Sequence, residues 1–190
     1  MVVWSGFRAR RKAHERMAAL AGRLGLEFVA AKGWTGHARI TGGVRGKRVE
    51  IFNYTTGSGK SQKHWSAVSV APATTGSLTF ALCKQGFVTK VRALFGAKEI
   101  TVGDAAFDAR WFIQTNQPDF FRAALMPELR VKLDAALAGA MKGGKIKLEA
   151  GAVRYEEQGA FTADRCARYE VLLPVLCDLA DVAEVSASMS

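Results

Sequence analysis

The hydrophobic positions of the chain change their period several times. From Phe7 to Leu24, Ala13, Met17, Leu20, Ala21 and Leu24 recur every three or four residues, and Arg8, Arg11, Lys12, Glu15, Arg16 and Arg23 fall mostly off that stripe. This predicts an amphipathic helix ended by Gly25. Beyond it the period drops to two. Val49, Ile51 and Asn53 alternate with Arg48, Glu50, Phe52 and Tyr54, and Leu78, Phe80 and Leu82 alternate with Thr79, Ala81 and Cys83. Strands are predicted near 27–31, 37–44, 47–55, 64–71 and 77–83. Short glycine-rich connections ("TGGVRGK", "TTGSGKSQK", "ATTGS") predict hairpins between them, and hence an antiparallel meander.

The second half mixes the two periods. Val88, Val91, Leu94 and Phe95 predict a short helix over Phe87–Phe95, with Gly96 as its stop. A strand is predicted over Arg110–Thr115, followed by Pro118 in the first turn of a helix that Pro127 restarts or kinks and Gly143–Gly144 close. "KIKLEAGAVRYEE" predicts a hairpin turning at Ala150–Gly151. A last helix over Ala163–Glu184 places Cys166, Tyr169, Leu173, Leu176, Ala180 and Ala183 on one face, with Pro174 bending it. Strands and helices in separate blocks, without strict alternation, predict an α+β fold: an antiparallel meander sheet covered by N-terminal, central and C-terminal helices.

At 190 residues and 49% hydrophobic, the chain is long enough for one well-buried domain, read here as residues 1–190. Its longest apolar run, Val171–Cys177, is far short of the roughly 20 residues of a membrane helix. "MVVWSGFRARRK" sets its charges after the apolar residues, the reverse of a secretory signal, so a cytoplasmic location is the expectation. Three cysteines, Cys83, Cys166 and Cys177, form no C-x-x-C pair. Cys166 and Cys177 are spaced about 16 Å apart on one helix, too far to bridge, so buried reduced thiols are expected.

The net charge of +10 is unevenly distributed. Residues 1–100 hold 17 of the 27 Lys and Arg but four of the 17 acids, a balance of +13, and the remainder is at −3. Arg39, Arg45, Lys47, Arg48, Lys60 and Lys63 lie on adjoining predicted hairpins. Together with the basic first helix they form a candidate surface for a polyanion, a nucleic acid or an anionic membrane, with Phe52, Tyr54 or Trp65 available to stack bases. Dispersed solvating charge explains the same residues, and no nucleic-acid fold signature accompanies them.

Other candidate chemistry is weaker. "YTTGSGKS" (Tyr54–Ser61) ends like a phosphate-binding loop but has Tyr54 in place of the first glycine, and the alternation of Val68 and Val70 predicts a strand after it where that loop needs a helix. His14, His37 and His64 are isolated, so no metal set assembles, and no cofactor motif is present. Asp104 with Asp108 in "GDAAFD", and Asp178 with Asp181 one helical turn apart, are paired acids with the structural explanations of turn-forming and helix-surface residues. No catalytic set is read, and a non-enzymatic interaction or ligand-sensing module with an unknown partner, a protein or a second copy, is the expectation.

The order of "GRLGLEFVAAKG", "ITGGVRGKRVEIFNYTTGSGKSQKHWSAVSV" and "EITVGDAAFDARWFIQTNQPDFFRAALMPELR" resembles an uncharacterised bacterial domain-of-unknown-function family over Gly22–Arg130. The resemblance implies no reaction, cofactor or catalytic residue. Such domains often sit beside membrane-spanning segments, which puts a membrane-proximal role in question for a chain whose sequence shows no such segment.

Overall fold

The computed structural model describes residues 3–31, 37–85, 98–138 and 144–189. In chain order the elements are α1 (Val3–Leu24), β1 (Glu27–Val29), β2 (Arg39–Val44), β3 (Lys47–Thr56), β4 (Lys63–Ala71), β5 (Phe80–Lys84), β6 (Lys98–Ile100), α2 (Ala105–Asp108), β7 (Trp111–Thr115), α3 (Pro118–Ala124), α4 (Pro127–Ala136), β8 (Lys145–Glu149), β9 (Ala152–Gln158) and α5 (Ala163–Ser188). The strands form one antiparallel sheet in the order β1-β2-β3-β4-β9-β8-β5-β7-β6. The fold is α+β.

The first four strands run as the predicted meander. The fifth does not continue it, because the β8–β9 hairpin lies between β4 and β5: Val68 is opposite Tyr155 on one side of the hairpin and Ile146 opposite Leu82 on the other. Two short elements, β6 and α2, are additional to the sequence reading. The helix predicted over Phe87–Phe95 lies outside the described residues. Pro127 restarts a helix; it does not kink one, since Met126 before it takes the extended backbone that a following proline favours. α4 ends at Ala136, ahead of the predicted glycine stop, where Leu137 leaves the helical region (ψ 19°).

Strand alternation decides which residues meet the helices. Ile40 of β2, Val49 and Ile51 of β3, Val68 and Val70 of β4, Val153 and Tyr155 of β9, Ile146 and Leu148 of β8, Phe80 and Leu82 of β5 and Ile113 of β7 all belong to the buried core with α5 residues Leu172, Leu173, Leu176 and Leu179. α5 packs on β4 and β9 and is flanked by α1 and α4. It runs without interruption through Pro174, which faces outward. Burial along Leu172–Ala183, where sheet, α1 and α4 all meet it, explains why its central turns are apolar on most of their circumference. Truncating one of its leucines to alanine costs about 2–5 kcal/mol.

Polar ties fix α5 in place. Thr162 caps its N-terminus by accepting from the Arg165 amide. Arg165 and Arg168 sit 2.9 and 3.4 Å from Glu157, a carboxylate that is 3% exposed on β9. Burial pushes the Glu157 carboxyl up even though the two guanidinium groups pull it down. At the far end a Cβ on Gly76 would stand 2.9 Å from the Ala187 backbone, so only glycine lets the β4–β5 connection close against the helix. Cys83, Cys166 and Cys177 are buried and unpaired, and burial pushes the Cys83 thiol up to about 11.

Candidate binding face

The same alternation sends a second set of side chains to the opposite side of the sheet. Cross-strand register aligns them in rows: Thr41, Glu50, Ser69, Arg154 and Lys147 in one, Arg39, Phe52, Ala67, Glu156 and Lys145 in the next, and Tyr54, Trp65 and Gln158 in a third. None of these is among the core positions that α1 and α5 cover. The face is an aromatic and charged ladder with small residues, Ala67 and Ser69, along its centre.

Its geometry is held internally. Tyr54 and Trp65 lie nearly parallel, 11° apart with centroids at 6.2 Å, and Phe52 is 6.0 Å from Tyr54. The Trp65 indole N–H donates to Thr56 Oγ1 at 2.8 Å, and the Tyr54 hydroxyl donates to Glu156 at 2.6 Å. Lys145 approaches Glu156 at 2.7 Å and lies 6.0 Å from the Trp65 ring, and the Arg154 guanidinium lies 5.6 Å from the Phe52 ring. Burial on its own would raise the Glu156 carboxyl. The hydrogen bonds from Lys145 and Tyr54, with the attraction of Lys145 and Lys147, outweigh it and hold that carboxyl below its ordinary range. The Tyr54 hydroxyl is correspondingly raised, first by burial and then by its bond to Glu156.

Two shallow depressions flank the Phe52–Arg154 pair. One, of about 150 Å³, is lined by Lys147, Glu149, Ala150, Arg154 and Glu156. The other, of about 260 Å³, is lined by His37, Arg39, Glu50, Phe52 and Asn53. Both fall below the ~300 Å³ lower bound of pockets that enclose a small molecule. A ligand here lies on the face.

The structure divides the six basic residues singled out by sequence. Arg39 and Arg48 are exposed on this face. Arg45 and Lys47 point the other way, onto α5: Arg45 binds Asp178 at 2.6 Å and also Asp181, and Lys47, 5% exposed, binds Asp181 at 2.6 Å and Glu184 at 3.0 Å. Lys60 and Lys63 are exposed at the β3–β4 tip, nine residues along β3 from Lys47, or about 30 Å at ~3.3 Å per residue. The six do not form one cluster.

The other candidates resolve into structure. The "YTTGSGKS" segment is a hairpin tip, a 3-10 turn at Gly59–Ser61 leading into β4, where Ser61 donates to the Ser58 carbonyl at 2.8 Å. It has no helix to aim amides at a phosphate. Asp104 caps α2 by accepting from the Ala106 and Phe107 amides, and Asp108 closes the preceding loop by accepting from Val102 and Gly103. Asp178 and Asp181 receive Arg45, Lys47 and Lys132. Among the described residues no three His, Cys, Asp or Glu side chains gather as a metal would need, and no helix is long and apolar enough to cross a membrane.

Sequence reasoning missed Lys145, Lys147, Arg154 and Glu156. Their signal was present as the polar half of the alternation in "KIKLE" and "AVRYEEQ", but nothing local said that this hairpin would join β4.

No protein-family model matches the chain, and no curated protein matches it. Among solved structures it is similar to the crystal structure of the mycobacterial trehalose monomycolate transport factor A, TtfA, with a TM-score of 0.63 and 14% identity over 90% of this chain and 94% of that one. At that identity the two share a fold.

Proposed function

We propose that the protein is a non-enzymatic interaction module in a lipid-transport-associated role and that its working surface is the sheet face on which none of the described helices packs. The observation that carries this reading is the asymmetry of the sheet across β2, β3, β4, β9 and β8: the described helices pack on one face, and the other presents Phe52, Tyr54 and Trp65 among charged side chains around two open depressions, while toward β5 and β7 the same rows run into buried Cys83 and Phe112. The fold likeness to a factor named for trehalose monomycolate transport supports the transport association. The paired acids Asp104 with Asp108 and Asp178 with Asp181 do structural work in caps and clamps away from this face.

The test is paramagnetic broadening of isotope-labelled protein amides by a spin-labelled acyl lipid that carries no sugar, in dodecylphosphocholine micelles. Broadening centred on β3, β4 and β9 is the expected result. Broadening confined to α4 and α5, or none, sinks the reading.

Polyanion binding is a second reading, favoured by the exposed Arg48, Lys60 and Lys63, which have no ion pair among the described residues. Oligonucleotide binding by fluorescence anisotropy that weakens steeply with salt would establish it. Charge reversal of Lys60 and Lys63 would then abolish that binding.

A further inference from the structure

We infer that the paired depressions take an uncharged polyhydroxylated headgroup, a sugar lying across the Phe52–Arg154 pair. The inference rests on the reading of the Phe52–Tyr54–Trp65 face as the working surface, and names what that surface recognises.

Charge balance comes first. The larger depression sets Arg39 and His37 beside Glu50, and the smaller sets Lys147 and Arg154 against Glu149 and Glu156. Each mixes acid with base, two basic side chains and one acid in the larger and two of each in the smaller. A polyanion in either would meet a carboxylate, and a cation would meet a guanidinium.

Unused hydrogen-bonding capacity comes second. Arg39 is opposite Phe52 and Thr41 opposite Glu50, so Arg39 and Glu50 are diagonal cross-strand neighbours. Such neighbours lie about 7–8 Å apart, within reach of long side chains. Yet among the described residues neither side chain has an ion-pair or hydrogen-bond partner. Arg154, likewise, has the Phe52 ring as its contact. An acceptor and a donor held apart across a depression suit a group that donates to one and accepts from the other, which a hydroxyl does and a phosphate does not.

Third, the depressions meet at an aromatic ring. Phe52 lines one, and Arg154, stacked on that ring, lines the other. The Phe52 ring and the Arg154 guanidinium over it form the ridge between the depressions, on which the C–H face of a sugar ring can lie with its equatorial hydroxyls toward the polar side chains on either side. Two shallow depressions joined in this way fit two linked rings.

The experiment is ligand-observed saturation-transfer NMR with trehalose as the probe, run on the native protein and on Phe52→Ala, Glu50→Gln and Arg154→Gln, each checked for native circular dichroism. Glu50→Gln keeps shape and removes charge, so it reports on recognition even where Phe52→Ala fails to fold. Transfer to trehalose that changes less than about twofold between low and physiological salt, and drops at least about fivefold in Glu50→Gln, is the expected result. Absent transfer, or equal transfer in native and Glu50→Gln protein, overturns the inference. So does a heparin fragment that displaces the sugar with a steep salt dependence. If trehalose fails while acyl-lipid broadening still maps to β3, β4 and β9, the sugar is wrong and the face is right. If both fail, both readings fall.

Discussion

Two hairpins of this sheet look alike in sequence and differ in structure. The β2–β3 turn ("GGVRGK") and the β3–β4 tip ("TTGSGKSQK") are both glycine-rich and basic, both uninterrupted by acids, and both candidates for a polyanion surface. In the first, Arg45 and Gly46 adopt positive φ (54° and 76°), the tight turn a two-residue hairpin loop demands, and this places Arg45 and Lys47 over α5. Asp178, Asp181 and Glu184 are spaced three apart on that helix and meet them. In the second, the cations are exposed at the sheet end, and among the described residues no acid pairs with them. Charge in a hairpin acquires meaning from the element that packs beneath it, and the first half's excess of +13 is therefore larger than the basic surface it exposes.

If the first hairpin is a clamp, removing its most buried cation should cost the most. Lys47→Met keeps the aliphatic stem but leaves Glu184 without its cation and Asp181 with Arg45 alone. Because Lys47 is buried while its partners are 41% and 27% exposed, the cost should fall between that of a surface pair and a buried one, about 2 kcal/mol in urea unfolding. Adding Asp181→Asn and Glu184→Gln should restore about half of it. A Lys47→Met protein as stable as the native one would show that the clamp does not stabilise.

The same clamp makes stability depend on acid. Burial would raise the Asp178 carboxyl, but Arg45 and Lys132 outweigh it and lower it, and Glu184 is lowered first by the Ala73 amide and then by Lys47. Groups whose folded pKa is depressed stabilise above their ordinary values, 3.8 and 4.5, and lose that stabilisation as pH falls from about those values through the lower folded ones. Unfolding midpoints should drop between about pH 5 and pH 3, and less so in the Lys47→Met, Asp181→Asn, Glu184→Gln protein. A flat profile across that window would remove the clamp's electrostatic role.

The difference between the hairpins marks where sequence reading stopped. Strand alternation around Val49, Ile51, Val68 and Val70 was legible because a half-covered sheet repeats every two residues, and the helix stops at Gly25 and the Ala150–Gly151 turn were legible because glycine or a short turn permits positive φ there. Strand order was not. The insertion of β8–β9 beside β4 is decided by pairing over roughly ninety residues, such as Trp65 with Gln158, and leaves no local mark. The candidate face inherits that gap: Phe52 and Trp65 were visible as aromatics, but Arg154 and Glu156 join them only through that insertion. The acids of α5 were read as solvating its surface because one helix's pattern cannot say which hairpin turn it meets.

At the second hairpin, shape should outweigh charge. Gly57 has φ of 79°, and a Cβ there would stand 2.7 Å from the Ser61 carbonyl oxygen, so Gly57→Ala should cost about 1–2 kcal/mol through strain at the tip. Lys60→Ala with Lys63→Ala should change stability by less than about 0.5 kcal/mol, since neither side chain has an ion-pair partner among the described residues and both are exposed. Urea midpoints for the double variant that match the native protein would confirm that its cations stabilise nothing within the fold and are free for an outside ligand. A loss approaching that of Lys47→Met would mean both hairpins are clamps, and the contrast between them would disappear.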